Sequence, residues 1–216
     1  MAKIFQGTIT NWNDPAIKAV NSGVNLPDQK ITVFYRSDES GTTENFEKYL
    51  AGAAPQDFTA TPSKTWSGTT GQGAAKSAGV AQGIKSTPGG IGYVEWSNAK
   101  DNNLGVAQID NGGGPVELTA ESAGKAVEAA QAAGTGNDLR LKLDYSTKSA
   151  GVYPIVLVTY EIVCSKGLDS SKLPVLKSFL TYLAAADTQK KLADIGYATL
   201  PDSVLTKVNT AIGALS

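Results

Sequence analysis

Short apolar runs alternate along the chain with segments in which apolar residues recur every three or four positions. The run Ile-Thr-Val-Phe-Tyr at 31–35 predicts a buried strand, and the segment 42–50 behind it predicts a helix with one apolar face. Further helices are predicted at 13–19, 74–85, 121–133, 174–186, 188–195 and 203–212, and further strands at 91–96 and 155–163. Alternating strands and helices of this kind favour an α/β fold class.

Turn-forming residues separate these predicted elements. Asp14 followed by Pro15 is a capping pair that predicts where the first helix begins. A hairpin is predicted at 104–118, because a run of Asn and Gly residues there favours a tight turn. The segments 51–73 and 134–151 are polar or rich in turn-forming residues, and we predict loops for both.

Composition excludes several classes of function. The 216 residues carry a formal net charge of −1, so the chain offers no broad positive field and we expect no nucleic-acid partner. There is no histidine, which excludes a Ser-His-Asp or Cys-His catalytic system and a His-ligated metal within this chain. No run reaches the ~18 apolar residues that span a membrane. We expect no cofactor.

The rare residue types favour structural roles. Cys164 is the one cysteine and follows the apolar run 155–163, so we interpret it as a buried structural thiol rather than a reactive one. Trp12, Trp66 and Trp96 are interpreted as packing residues rather than as platforms for a ligand. These residues therefore add no candidate chemistry of their own.

The segment most informative about function is the stretch 36–43, Arg-Ser-Asp-Glu-Ser-Gly-Thr-Thr, which lies between the strand at 31–35 and the next helix. Ligands of open α/β sheets collect at the carboxyl ends of strands. A helix N-terminus there offers unpaired N–H groups and a partial positive charge, which together favour an anion. The junction is therefore a candidate anion site.

The side chains of this junction suit the same kind of ligand. Arg36 offers a planar fork that matches two oxygens of a tetrahedral oxyanion. Ser40 and Thr42 add hydroxyl groups, and Gly41 lets the backbone approach the ligand closely. Asp38, two residues after the arginine, is placed to pair with it and to fix its orientation.

The residues alone leave alternatives open. A capped helix beside a surface Arg–Asp pair explains the same stretch equally well. The stretch is not a nucleotide-binding phosphate loop, because no Gly-Lys-Ser/Thr follows, and it is not a nucleophile elbow, because no histidine can activate Ser40. The glycine-containing run 71–73 before Lys76 is a second, weaker candidate for an anion site. Glu95 is interpreted as structural.

Five stretches distributed over the whole chain form a pattern. They are Ile-Phe-Gln-Gly-Thr-Ile-Thr-Asn-Trp-Asn-Asp-Pro at 4–15, Arg-Ser-Asp with Ser-Gly-Thr-Thr within 36–43, Thr-Pro-Gly-Gly-Ile-Gly-Tyr-Val-Glu at 87–95, Tyr-Pro-Ile at 153–155 and Tyr-Ala-Thr-Leu-Pro at 197–201. In this order they resemble the phosphate-binding proteins of the bacterial phosphate ABC transporter, which have the type II periplasmic-binding-protein fold.

The resemblance implies an α/β protein with two lobes that close on one phosphate ion. It implies charge-assisted hydrogen bonds to phosphate from Arg36. It also implies that Ser40, Gly41 and Thr42 donate from hydroxyl groups and from the amides of the helix N-terminus. Asp38 falls on the residue that orients the arginine in this family.

One residue departs from the family pattern. Glu39 stands where many members carry glycine. A carboxylate beside an anion is unfavourable, so we expect Glu39 to face solvent.

The resemblance also implies that the chain is truncated at its N-terminus. Family members have a long upstream segment, preceded by a signal sequence, which builds most of the first lobe and supplies an aspartate that accepts a phosphate proton. This chain begins within the pattern and shows no secretory signal after Met1. We therefore expect residues 1–152 to form the second, central lobe with the phosphate-binding loop, and 153–216 to be the return segment of the first lobe. Apolar elements such as 155–163 would then lose neighbours and be exposed.

The function implied by the resemblance is binding without catalysis. It consists of the capture of inorganic phosphate outside the cytoplasm, by a periplasmic or lipid-anchored protein that is monomeric at full length, and its delivery to the membrane permease of an ABC transporter. One alternative is another oxyanion such as sulfate, which the Arg-Ser-Asp motif disfavours. A second is a phosphate-ester hydrolase, which the lack of histidine and of a metal cluster disfavours. A third is a non-binding remnant, or an adhesive or signalling protein on the same scaffold.

Overall fold

The chain forms two compact units, Met1–Val106 and Ala107–Ser216, in a computed structural model that describes all residues, 1–216. Helices and strands occur in both units, as the α/β prediction requires. None of the helices combines the length and the apolar character that a membrane crossing requires. The lobes predicted at 1–152 and 153–216 stay a prediction.

The first unit contains a parallel three-stranded sheet with helical connections. Its strands lie in the order β2-β1-β3, so that β1 is the central strand. The elements are α1 (Ala2–Phe5), α2 (Pro15–Ala19), β1 (Thr32–Arg36), α3 (Gly41–Ala53), β2 (Gln72–Ala74), α4 (Lys76–Ser86), β3 (Gly90–Gly92) and α5 (Trp96–Asp101). Because the strands are parallel, their carboxyl ends meet at one edge of the sheet.

An aromatic cluster forms the core of the first unit. The ring of Phe46 lies 4.7 Å from the ring of Phe5 and 4.7 Å from that of Tyr93. Trp66 stacks on Tyr35 at 5.8 Å, which confirms its prediction as a packing residue. These contacts fix α3 against the sheet, because Phe46 belongs to α3 and Tyr35 to β1.

The second unit is mainly helical. It contains α6 (Ala120–Glu128), β4 (Gln131–Ala132), β5 (Leu141–Lys142), α7 (Leu173–Ala184), α8 (Ala186–Asp194) and α9 (Asp202–Gly213). The two short strands pair with each other in antiparallel fashion. The hairpin predicted at 104–118 is reduced to one antiparallel bridge between Ile109 and Val116.

Two predicted elements end earlier than expected because other hydrogen bonds compete with them. The strand predicted at 91–96 stops at Gly92, since the backbone N–H of Arg36, further along the neighbouring strand, donates to the hydroxyl of Tyr93 at 3.2 Å. The helix predicted at 121–133 stops at Glu128, since β4 lies within the predicted range and pairs with β5.

The strand predicted at 155–163 is wrong. This apolar run pairs with no strand, and three of its large side chains are exposed, with 94% for Ile162, 50% for Leu157 and 40% for Tyr160. Alternating apolar residues suit a strand only where a neighbouring strand accepts their backbone hydrogen bonds. The expected exposure of this run is confirmed for these three side chains, while its other apolar residues are half-buried. The burial predicted for Cys164 is wrong, because the cysteine is exposed.

A buried carboxylate on α3 organises the loop that follows the helix. Glu47 is fully buried and accepts hydrogen bonds from the backbone N–H groups of Ser63 at 2.8 Å and Ser67 at 2.7 Å. The Ser67 hydroxyl donates a further bond at 2.8 Å. The same loop returns to the start of α3, because the carbonyl of Lys64 accepts from the N–H of Ser40 at 2.8 Å. Glu47 therefore holds both the loop and the helix N-terminus in place.

We expect the substitution Glu47→Gln to lower the free energy of unfolding of the first unit by about 3 kcal/mol, because the amide nitrogen would replace one of the two accepting oxygens and face a backbone N–H donor in a buried site. Urea unfolding followed by tryptophan fluorescence measures this. Glu44→Gln is the matched control, since Glu44 lies on the same helix in an exposed pair with Lys48. Its effect should stay below about 0.5 kcal/mol. Equal effects of the two substitutions would contradict the role assigned to Glu47.

Candidate anion-binding site

Two helices begin at the edge where the parallel strands end. β1 ends at Arg36, and α3 begins five residues later, while β2 ends at Ala74 and α4 begins at Lys76. The pairing of β1 with β2 sets Arg36 directly beside Ala74. The polar residues after both strands are therefore brought to one place.

Arg36 and Asp38 form a two-point ion pair at this edge. The arginine Nε donates to one carboxylate oxygen at 2.9 Å, and its Nη2 donates to the other at 2.7 Å. The hydrogen bonds from Arg36 and then the backbone N–H of Lys76 hold the pKa of Asp38 well below its usual range. The same pair raises the pKa of Arg36. The predicted Arg–Asp pairing is thus present.

The pair also reaches the start of α4. Asp38 accepts a hydrogen bond from the backbone N–H of Lys76 at 2.9 Å, where Ala75 offers no capping side chain. The Nη1 of Arg36 donates to the hydroxyl of Ser77 at 3.0 Å. Three of the five N–H bonds of the guanidinium are then used inside the protein, and two are left for a ligand.

The start of α3 supplies further donors. The Ser40 hydroxyl caps the helix by accepting from the N–H of Thr42 at 3.1 Å, and its own proton has no acceptor in the structure. Ser40 is 6% exposed, so its position is fixed. Gly41 is exposed, and a Cβ added there would meet nothing within 4 Å, so a ligand can approach its backbone. The helix dipole adds partial positive charge at the same point.

A second carboxylate lies beside these donors. The hydroxyl of Thr42 donates to Glu95 at 2.6 Å. Burial disfavours the charge on Glu95, but its interactions with the hydroxyl groups of Ser77 and Thr42 and the charge of Arg36 outweigh it. The pKa of Glu95 is therefore lowered and the group is ionised at neutral pH.

The structure brings the predicted residues Arg36, Asp38, Ser40, Gly41 and Thr42 to one edge of the sheet. It also places Glu39 on the exposed surface, as expected.

The second candidate, the run 71–73, has a different explanation. A Cβ at Gly71 would meet the carbonyl oxygen of Val33 at 2.9 Å, and a Cβ at Gly73 would meet the Ser37 side chain at 3.1 Å. These glycines allow β2 to pack closely on β1. An anion site at this run stays a prediction.

Three further residues contribute to the site without a predicted role there: Ser77, Tyr93 and Glu95, the last of which the sequence alone favours as structural. The Tyr93 hydroxyl bonds to the hydroxyl of Thr43 at 2.7 Å as well as to the β1 backbone, and burial raises its pKa. The sequence feature that could have predicted the roles of Tyr93 and Glu95 is their spacing of two residues directly after β3. Residues two apart in extended chain point to the same side, which here faces the end of β1.

Comparison with known proteins agrees with the fold. The family model described as the PBP superfamily domain, where PBP stands for periplasmic-binding protein, matches residues 1–187. Phosphate-binding protein PstS 3 of Mycobacterium tuberculosis (strain ATCC 25618 / H37Rv) is 44% identical over 220 residues, which cover 100% of this chain and 59% of that protein. Phosphate-binding protein PstS of Xylella fastidiosa is 31% identical over 212 residues, which cover 96% of this chain and 57% of that protein. The chain thus spans about three fifths of the length of these relatives.

A solved structure shows the same architecture. The high-affinity periplasmic phosphate-binding protein PfluDING, bound with phosphate, superposes with a TM-score of 0.66 at 19% sequence identity. The match covers 97% of this chain and 63% of that one. The periplasmic-binding-protein-like fold predicted from the sequence is confirmed.

The ion pair has a measurable pH dependence. A carboxyl whose folded-state pKa is lowered contributes stability that is present above its unfolded pKa, about 3.9, and is lost as pH falls through the folded value. We expect the carboxyl carbon resonance of Asp38 to report a pKa in the folded chain that is well below the pKa in the urea-unfolded chain. Acid titration followed by carbon-13 NMR measures both. Coincident titration of the folded and unfolded chains would show that Arg36 is not held as described.

Proposed function

The chain belongs to the periplasmic-binding-protein (PBP) superfamily, and we propose that it binds inorganic phosphate at the edge between Arg36 and the N-terminus of α3. The observation that carries this proposal is the orientation of Arg36. Asp38 and Ser77 hold the guanidinium through three hydrogen bonds, so that two further N–H bonds remain beside the free donors of the helix.

The arrangement suits an oxyanion because its donors converge in advance. The Ser40 hydroxyl proton has no acceptor within the protein, and the backbone at Gly41 is accessible. A rigid fork and a helix N-terminus together provide hydrogen bonds and positive charge without reorganisation when the ligand arrives. The phosphate-binding names of the similar proteins support phosphate as the ligand.

Binding without catalysis fits the chemistry of the site. The carboxylate in contact with a hydroxyl is Glu95, which touches Thr42. Its lowered pKa makes it a weak base at neutral pH, so it activates the hydroxyl poorly as a nucleophile. We therefore propose a binding protein and not a phosphate-ester hydrolase.

The wider role follows the same family. We propose that the protein works outside the cytoplasm, periplasmic or anchored by lipid, and delivers phosphate to the permease of an ABC transporter as a monomer. In this proposal residues 1–152 form the central lobe that carries the phosphate loop, and 153–216 return to the first lobe. The phosphate-binding names of the similar proteins support the binding part of this role.

We expect Arg36→Ala to weaken phosphate binding by about ten- to a hundredfold, because charge-assisted hydrogen bonds to the anion are lost. Equilibrium dialysis of labelled phosphate against the 216-residue chain measures this. Arg140→Ala is the matched control, since Arg140 makes the same kind of pair with an aspartate two residues away, at 2.7 Å, on the exposed surface. The control should bind phosphate as the unmodified chain does.

Two results would contradict the proposed function. One is equal loss of phosphate binding in Arg36→Ala and Arg140→Ala, which would indicate a general effect of charge. The other is turnover of a phosphate ester by the unmodified chain that Thr42→Val abolishes.

A further inference from the structure

The two halves of the candidate anion site are carried by different elements. Arg36 ends the central strand β1, whereas the donors at 40–42 belong to the start of α3. The hydrogen bonds that orient the guanidinium come from Asp38 and from Ser77 of α4. Neither of these two residues lies in α3, so their contacts leave the distance between the arginine and the start of α3 unset.

The hydroxyl of Tyr93 contacts both halves at once. Its oxygen accepts from the backbone N–H of Arg36 at 3.2 Å and lies 2.7 Å from the hydroxyl oxygen of Thr43. The pairing of β1 with β3 extends only as far as Phe34, so the tyrosine hydroxyl takes the place of a strand partner for the N–H of Arg36. Thr43 is fully buried in the first turn of α3, directly after the donors at 40–42.

The ring that carries this hydroxyl is held firmly. It stacks on Phe46 of α3 with 4.7 Å between the ring centroids, and it lies 5.7 Å from the ring of Trp66. Tyr93 is buried, and this burial raises its pKa, so the hydroxyl keeps its proton at neutral pH. Phenylalanine at this position would keep the ring contacts and lose the hydroxyl alone. The oxygen is therefore a fixed point between the strand and the helix.

A rigid site gains affinity when its donors are held at the spacing that one anion requires, to within about 0.5 Å. We propose that Tyr93 is a positioning residue of the anion site, whose hydroxyl sets the distance between Arg36 and the donors at the start of α3. The hydroxyl already contacts two groups of the protein, so it acts through them and not by touching the anion. This inference rests on the proposed function.

The first test removes the hydroxyl and keeps the ring. We expect Tyr93→Phe to lower the phosphate affinity about three- to tenfold in equilibrium dialysis, because the two sets of donors are no longer held at one spacing. Tyr49→Phe is the matched control, since it removes another buried tyrosine hydroxyl, further along α3 and away from the site. Its phosphate affinity should equal that of the unmodified chain. Urea unfolding checks that each variant is folded under the conditions of the dialysis.

Substitutions of Thr43 test the other end of the link. Thr43→Val removes the hydroxyl and keeps the branched shape, and we expect about the same loss of phosphate affinity as in Tyr93→Phe. The double variant should bind no more weakly than either single variant, since both substitutions break one link. Thr43→Ser keeps the hydroxyl and should retain most of the affinity. Two residues that acted only through overall stability would give losses that add.

The outcomes separate this inference from the function on which it rests. Phosphate binding by the unmodified chain with the same affinity in Tyr93→Phe would overturn the inference and leave the proposed function standing. Equal losses in Tyr93→Phe and Tyr49→Phe, or additive losses in the double variant with Thr43→Val, would do the same. Failure of the unmodified chain to bind phosphate would overturn both.

Discussion

The two-point contact between Arg36 and Asp38 is the interaction on which the candidate site depends. It turns a long, flexible side chain at the end of the central strand into a rigid fork. The same carboxylate caps the start of α4 through Lys76, so the fork is fixed to a second helix as well as to its own strand. An unpaired arginine would lose side-chain entropy on binding an anion, whereas this one is already ordered.

Buried polar groups extend that rigidity to the other half of the site. Glu47 fixes the loop around Ser67, and that loop in turn holds the N–H of Ser40. The aromatic core fastens α3 to β1 beneath the site. Each donor aimed at the ligand is therefore supported by contacts that do not involve the ligand, which is how a binding site gains affinity through preorganisation.

The parts of the structure that depend on residues close together in the sequence could be predicted from the sequence. The strand at 31–35, the cap formed by Asp14 and the pairing of Arg36 with Asp38 all arise within a few positions of the chain. The prediction of a strand at 155–163 failed because a strand needs a partner, and local apolar content carries no information about one. The place of Glu95 at the site could not be predicted for the same reason, since its contact with Thr42 joins residues far apart in sequence.

The most direct test of the site is NMR mapping of phosphate on the isotope-labelled chain. If phosphate binds where the geometry indicates, its addition will shift the backbone amide resonances of Gly41 and Thr42 and the side-chain Nε resonance of Arg36. Shifts in the second unit should be small. Phosphate-dependent shifts confined to other residues, such as the turn at 71–76, with Arg36 unaffected, would contradict a phosphate site at the start of α3.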